Sequence, residues 1–214
     1  AQPAAPAPPP AAAAGASRRR RRRQPAPRFI ELNEEDRALL YAQGTEEGEA
    51  SPEARLAACA EALQKADIRD EIADLVLDFC APYLSRRLLL FRRRKRILGW
   101  RGEGRDLSFV AVRGIEIAED QPSVFQNVGR GLGVWRGPLP PFPAHQSLLL
   151  ALGEPPKECI VLPIALGERV VCYLYGDNGG EELGEVPVEV LKRLARKAAV
   201  AFELLILKNK IRML

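Results

Sequence analysis

Residues 159–178 read Cys-Ile-Val-Leu-Pro-Ile-Ala-Leu, then Gly-Glu, then Arg-Val-Val-Cys-Tyr-Leu-Tyr-Gly-Asp-Asn. Two runs of β-forming residues separated by a two-residue, glycine-containing turn predict an antiparallel hairpin. Side chains alternate along a strand, so Val170, Cys172 and Leu174 are expected on one face and Val171, Tyr173 and Tyr175 on the other. The first face is wholly apolar. The second carries phenols that hydrogen-bond, so one face is expected to pack under helices while the other lines a cavity or contacts a partner. Pro163 has no N–H to donate to a ladder, which suggests a sheet edge or a bulge at that point.

The elements around this hairpin set the fold class. Downstream, 187–212 forms the longest predicted helix, with Val190, Leu191, Leu194, Ala198, Ala201, Phe202, Leu205 and Ile206 making a broad apolar stripe. The stripe is expected to be the face that packs on the sheet; the alternative is that its end, 204–214, outruns the domain and pairs with a second copy. Upstream, Ser51-Pro52-Glu53 places a capping residue before proline at the first helical position, with Leu56, Cys59, Ala60 and Leu63 at helical spacing. A further helix is predicted from about Ala66 to Pro82 on the stripe Ile68, Ile72, Leu75, Val76 and Phe79. The segment from Arg86 to Arg101 reads as a first hairpin, and Ser108–Ile117 as a longer strand. Short helices are expected at 123–129 and 146–152, a short strand at 134–136, and no regular structure in the proline run 137–143. The order predicts an α+β fold, a central antiparallel sheet flanked by helices.

Charge divides the chain into three parts that the net +4 conceals. Residues 1–28 hold seven arginines and no acid, 29–83 hold four bases against fourteen acids, and 84–214 hold twenty-one bases against fourteen acids. The first part, with ten alanines, seven prolines and the Arg18–Arg23 run, has nothing to build a core from and is expected to be a disordered linker. Residues 29–66 read as an acidic helical extension, beginning with a short helix capped by Asn33, and 67–214 as the folded domain. An opening alanine and linker composition lead us to expect a piece of a longer polypeptide. No run approaches the ~18 apolar residues of a membrane span, and a cytoplasmic location is expected.

The helix 67–84 leading into Arg-Arg-Leu-Leu-Leu-Phe-Arg-Arg-Arg-Lys-Arg-Ile-Leu-Gly-Trp-Arg-Gly, together with the 158–178 hairpin followed directly by a long helix, resembles a GAF domain over roughly residues 67–212. The resemblance implies a non-catalytic sensory or regulatory module of a larger, bacterial-type protein. It implies a homodimer formed through the terminal helices, or attachment to another signalling domain, with small-ligand sensing or protein contact as the mode of action. The Asn-Lys-x-Phe-Asp-Glu pattern of cyclic-nucleotide binders is absent. No cysteine stands beside a histidine as bilin attachment would favour, so the cofactor stays unknown.

Residue chemistry points the same way. The segment 129–133, Gly-Arg-Gly-Leu-Gly, lacks the Lys-Ser/Thr of a phosphate loop and reads as a turn. His145 is the sole histidine, has no triad partners nearby, and is expected at the surface or at a helix cap. Cys59, Cys80, Cys159 and Cys172 form no metal-ligand spacing and are expected to be reduced, buried thiols. Glu116, Glu119 and Asp120 read as solvated acids, and no enzyme is expected. If a ligand pocket exists, Trp100, Phe109, Trp135, Tyr173 and Tyr175 are the candidates to line it. Arg92, Arg93, Arg94, Lys95 and Arg96 crowd one hairpin tip and are expected to project into solvent toward a partner or an anion, the acidic 29–83 segment being the preferred one. Nucleic-acid or anionic-surface binding through these five residues and the Arg18–Arg23 run is the alternative.

Overall fold

The computed structural model describes residues 51–131 and 133–213. The Arg18–Arg23 run, the linker and the Asn33 helix lie outside the described residues. Ser51 accepts a hydrogen bond from the Ala54 N–H at 3.2 Å and Pro52 opens α1 (Pro52–Lys65), whose buried residues are the predicted Leu56, Cys59, Ala60 and Leu63. Helix α2 (Arg69–Cys80) starts later than its apolar stripe suggests. Glu71 reaches back to accept the Asp67 backbone N–H at 2.9 Å, holding Ile68 extended at φ −132° and 55% exposed. The chain then forms β1 (Arg86–Arg93), β2 (Arg96–Gly104), α3 (Phe109–Arg113), β3 (Glu116–Ala118), α4 (Val124–Gly131), β4 (Trp135–Gly137), a 3₁₀ turn (Pro143–His145), α5 (Gln146–Leu152), β5 (Cys159–Leu166), β6 (Arg169–Asp177) and α6 (Val188–Arg212).

The six strands form one antiparallel sheet in the order β3-β2-β1-β6-β5-β4. One face carries Leu89, Ile160, Leu162, Ile164, Cys172 and Leu174 under α1, α2 and α6. The other carries Leu88, Leu90, Val161, Val170, Tyr173 and Tyr175 under α3, α4 and α5. Helices therefore cover both faces, and the four cysteines are free and buried as expected.

Two bulges depart from strict alternation. Leu89 faces Arg101 while Leu90 faces Gly99, so Trp100 is an extra residue on β2. Ile164 faces Cys172 while Ala165 faces Val170, so Val171 is extra on β6. The second bulge corrects the expected faces: Val170 joins the tyrosines, and Val171 turns to the α6 side. Pro163 lies where β5 has no second neighbour, since β4 pairs only with 159–161, and one residue before that bulge.

The expected strand 108–117 is instead α3 followed by the three residues of β3. Ser108 caps α3 by accepting the Ala111 N–H at 3.1 Å, and the Gly99 N–H donates to the Ile115 carbonyl at 2.9 Å. A Cβ at Gly99 would lie 1.8 Å from the Val112 carbonyl oxygen, so glycine there lets α3 close against the β2 edge. Tertiary contact overrides the β-branched composition of 109–117. Residues 129–131, expected in a turn, lie inside α4.

A buried ion pair ties the centre of the sheet to its covering layer. Arg86 of β1 donates through Nε to Asp177 Oδ1 of β6 at 2.6 Å, and through Nη1 to the Leu152 and Glu154 carbonyls at 2.9 and 3.1 Å. Asp177 Oδ1 also accepts the Gly179 N–H at 2.7 Å. Removing one partner strands a buried charge, whereas removing both does not. Arg86→Met is expected to lower unfolding free energy by about 3–5 kcal/mol in urea titrations, and Arg86→Met combined with Asp177→Leu to cost clearly less than that.

His145, expected at the surface or a cap, is fully buried and is a cap supplied from a distance. Its Nε2 accepts the Val124 N–H at the start of α4 at 3.1 Å, and its Nδ1 lies 2.8 Å from the Pro140 carbonyl, which it reaches as a donor. Burial lowers its pKa from 6.5, opposed by the Pro140 bond. A depressed histidine pKa means that the unfolded chain takes up the proton first, so the stability present above about pH 6.5 is lost as pH falls toward the folded-state value. Thermal stability is expected to fall between pH 7 and 5, and His145→Gln to lose the part of that slope that falls below pH 6.5.

Candidate functional site

The five aromatic candidates do not converge on one pocket. Tyr173 and Tyr175 are buried side by side on the face under α4. Phe125 fills the space between them, with ring centroids 5.4 Å from Tyr173, 6.5 Å from Tyr175 and 6.1 Å from His145. Trp135 packs at the β4 edge of that layer. Trp100 is on the opposite side of the sheet, alternating with Gly99, and meets Phe202 of α6 at 5.9 Å. Phe109 is 64% exposed on α3 beneath the Arg113 guanidinium.

The basic hairpin tip is divided in the same way. Arg92 pairs with Glu119 at 2.5 Å and Arg96 with Glu116 at 2.5 Å, so two of the five cations are matched by the acids of β3 and the turn after it. Alternation sends Arg93 to the α6 side. Arg94, held at φ 57°, and Lys95 form the two-residue turn. The preferred sequence expectation, that the acidic helices meet this tip, does not hold among the described residues. Asp74 of α2 binds Arg101, Asp70 accepts from Trp100 Nε1 at 3.1 Å, and Asp67 pairs with Lys208 at 3.0 Å. The bulge explains the choice: it turns the consecutive residues 100 and 101 to one face, opposite Asp70 and Asp74, which are one helical turn apart.

What the fold does bring together is Tyr173 with Arg92, Arg94 and Lys95, at a cavity of about 560 Å³. Gln126, Gly129 and Arg130 of α4 form its wall, and Glu119, Asp120 and Glu168 its remaining rim. A Cβ at Gly129 would come 2.5 Å from the Tyr173 hydroxyl, so glycine lets the helix settle on the phenol. Burial, with a smaller push from Glu119, raises the Tyr173 pKa to about 12, so the phenol is a protonated donor at neutral pH. Arg130 was missed in the sequence because 129–133 reads as a turn, which ended the expected helix before it and hid its spacing of four from Gln126. The cavity offers guanidinium, ammonium and phenol donors to an acceptor-rich small molecule. Among the described residues no cluster of three His, Cys, Asp or Glu suits a metal, and no helix is long and apolar enough to cross a membrane.

No protein-family model and no curated protein matches the sequence. Solved structures do match in shape. The GAF domain of a phosphoenolpyruvate-protein phosphotransferase from Coxiella burnetii aligns with TM-score 0.60 and 14% identity, over 73% of this chain and 95% of that one. The phycoerythrobilin-bound GAF domain of a cyanobacterial phytochrome aligns with TM-score 0.58 and 15% identity, over 74% and 97%. A methyl-accepting chemotaxis protein, residues 122 to 287, aligns with TM-score 0.55 and 18% identity, over 70% and 97%. The six-stranded sheet with its two helical layers is a GAF-like fold.

Proposed function

We propose that the chain is a non-catalytic regulatory module of a larger, bacterial-type signalling protein in the cytoplasm, and that it acts through pairing of its terminal helix. One observation carries this reading. Val200, Leu204, Leu207 and Ile211 stand exposed on α6 at spacings of four, three and four, the repeat of a two-stranded seam. The same helix buries Leu191, Leu194, Ala198, Ala201 and Leu205 against the sheet, so it carries one stripe for the domain and a second for a partner copy. Chemotaxis and phosphotransferase proteins among the structures of like fold support a signalling context. In sedimentation equilibrium the protein is expected to be a reversible dimer. Leu204→Lys with Ile211→Lys is expected to weaken association at least tenfold without changing the cooperativity of unfolding; a concentration-independent monomer of the unaltered chain sinks the reading.

A second reading, small-anion sensing, is favoured by the cavity that joins Tyr173 to Arg92, Arg94, Lys95 and Arg130. Its three interspersed acids suit a compact anion better than a nucleic-acid backbone, which neutralises many phosphates along a continuous basic surface. Calorimetric titration with inorganic pyrophosphate is expected to give saturable binding that Arg94→Gln and Arg130→Gln together reduce at least tenfold. Binding unaffected by those changes removes this reading and leaves the first intact.

A further inference from the structure

The two β-bulges share a consequence. Their extra residues, Trp100 and Val171, both turn to the α6 side at the same end of the sheet, where they line a groove of about 590 Å³. Phe91 and Leu166 complete its strand-side lining, and Phe202, Leu205 and Ile206 of α6 form the facing wall. At each bulge two consecutive residues face the same side, Trp100 with Arg101 and Val171 with Cys172, so each strand turns one more side chain toward the α6 side at this end than strict alternation allows.

Three arginines, each from a different element, surround this apolar surface: Arg69 of α2, Arg93 of β1 and Arg113 of α3. Arg69 lies over the Trp100 ring, 5.7 Å from its centroid. Asp70 is the near carboxylate; it stands 3.7 Å from Arg69 and accepts the Trp100 Nε1–H. Among the described residues no acid pairs with Arg93 or Arg113. The cysteine at the groove floor, Cys172, is buried and its thiol is pushed up to about 12, which leaves it a packing group and not a nucleophile.

The dimensions select among occupants. A peptide helix is about 10–12 Å across, so about one turn of it would fill this volume, too little to anchor a partner. Small-molecule sites run from about 300 to 1,000 Å³ and combine an apolar lining with a few charged groups that fix orientation. An apolar body with one anionic end matches both the lining and the rim.

We propose that this groove binds a free long-chain carboxylate, with the acyl chain along Phe91, Trp100, Val171 and Phe202 and the carboxylate on Arg93 and Arg113. The site lies across the sheet from Tyr173 and Phe125, is separate from the cavity at the hairpin tip, and does not depend on pairing of α6. Trp100 is a built-in reporter, because bromine on a bound acyl chain quenches an indole it touches.

The test uses the full chain carrying Trp135→Phe, so that Trp100 is the only tryptophan, titrated with 9,10-dibromostearate below its aggregation concentration. Saturable quenching of at least half the emission is expected. Stearate is expected to compete, stearyl alcohol to bind at least tenfold more weakly, and Arg93→Gln with Arg113→Gln to weaken binding at least tenfold. Ile206→Glu, an exposed change on the facing wall, is expected to abolish quenching while unfolding stays cooperative. The complementary Trp100→Phe protein, which keeps Trp135, is expected to show none. The proposal is overturned by absent quenching, by equal quenching in the arginine or Ile206 variants, or by quenching that arises only with vesicles of brominated phospholipid.

Discussion

Burial of the central strands on both faces is the constraint on which the rest of the structure depends. β1 and β6 lie in the middle of the sheet, and Leu88, Leu89, Leu90, Tyr173, Leu174 and Tyr175 are all essentially sealed from water. A sheet covered on both sides has no solvated face to absorb polar groups, so a buried polar or charged group without a partner inside is costly. Arg86 and Asp177 meet this demand together, and in doing so they tie β1 and β6 to the end of α5. His145 meets it in the layer above, as both the cap of α4 and the donor to the Pro140 carbonyl.

The bulges are where this tightly packed arrangement gains specificity. Each inserts one residue into a ladder and turns two consecutive side chains to the same side. At Trp100 and Arg101 this creates the contacts to Asp70 and Asp74 that fix α2 on the sheet. At Val171 it opens the end of the sheet beside α6. The aromatic side of the sheet, by contrast, is filled around Phe125 and meets solvent chiefly at the basic tip, where Tyr173 forms part of the cavity. Three distinct surfaces result: a polar cavity at the hairpin tip, an apolar groove against α6, and the outward stripe of α6 itself.

Much of the architecture was legible in local pattern. The apolar β-forming runs at 86–93, 159–166 and 169–177, bounded by their turns, and the 3.6-period stripe of 188–212 each match the element formed. The candidate site was legible only in part. Tyr173 and the basic tip were both identifiable, but as separate features, since 81 residues separate Tyr173 from Arg92 and only the β1–β6 pairing places them together. Segment 108–117 misled because valine and isoleucine favour strands in general, while here Gly99 admits a short helix against the β2 edge. His145 misled because a histidine in a proline-rich loop carries no local sign of burial.

Outside 108–117 and 129–131, the sequence by itself determined which described segments are strands and helices, that the fold is α+β, and that four thiols are buried, because these follow from periodicity, turn residues and apolar content acting over a few residues. The tertiary structure alone decided which face Val171 occupies, that Trp100 and Arg101 share a face, which acids answer which arginines, and that His145 caps a helix twenty-one residues earlier in the chain. Those outcomes rest on register. A one-residue slip in a ladder reverses every side chain beyond it, and register is set by packing between segments far apart in the chain.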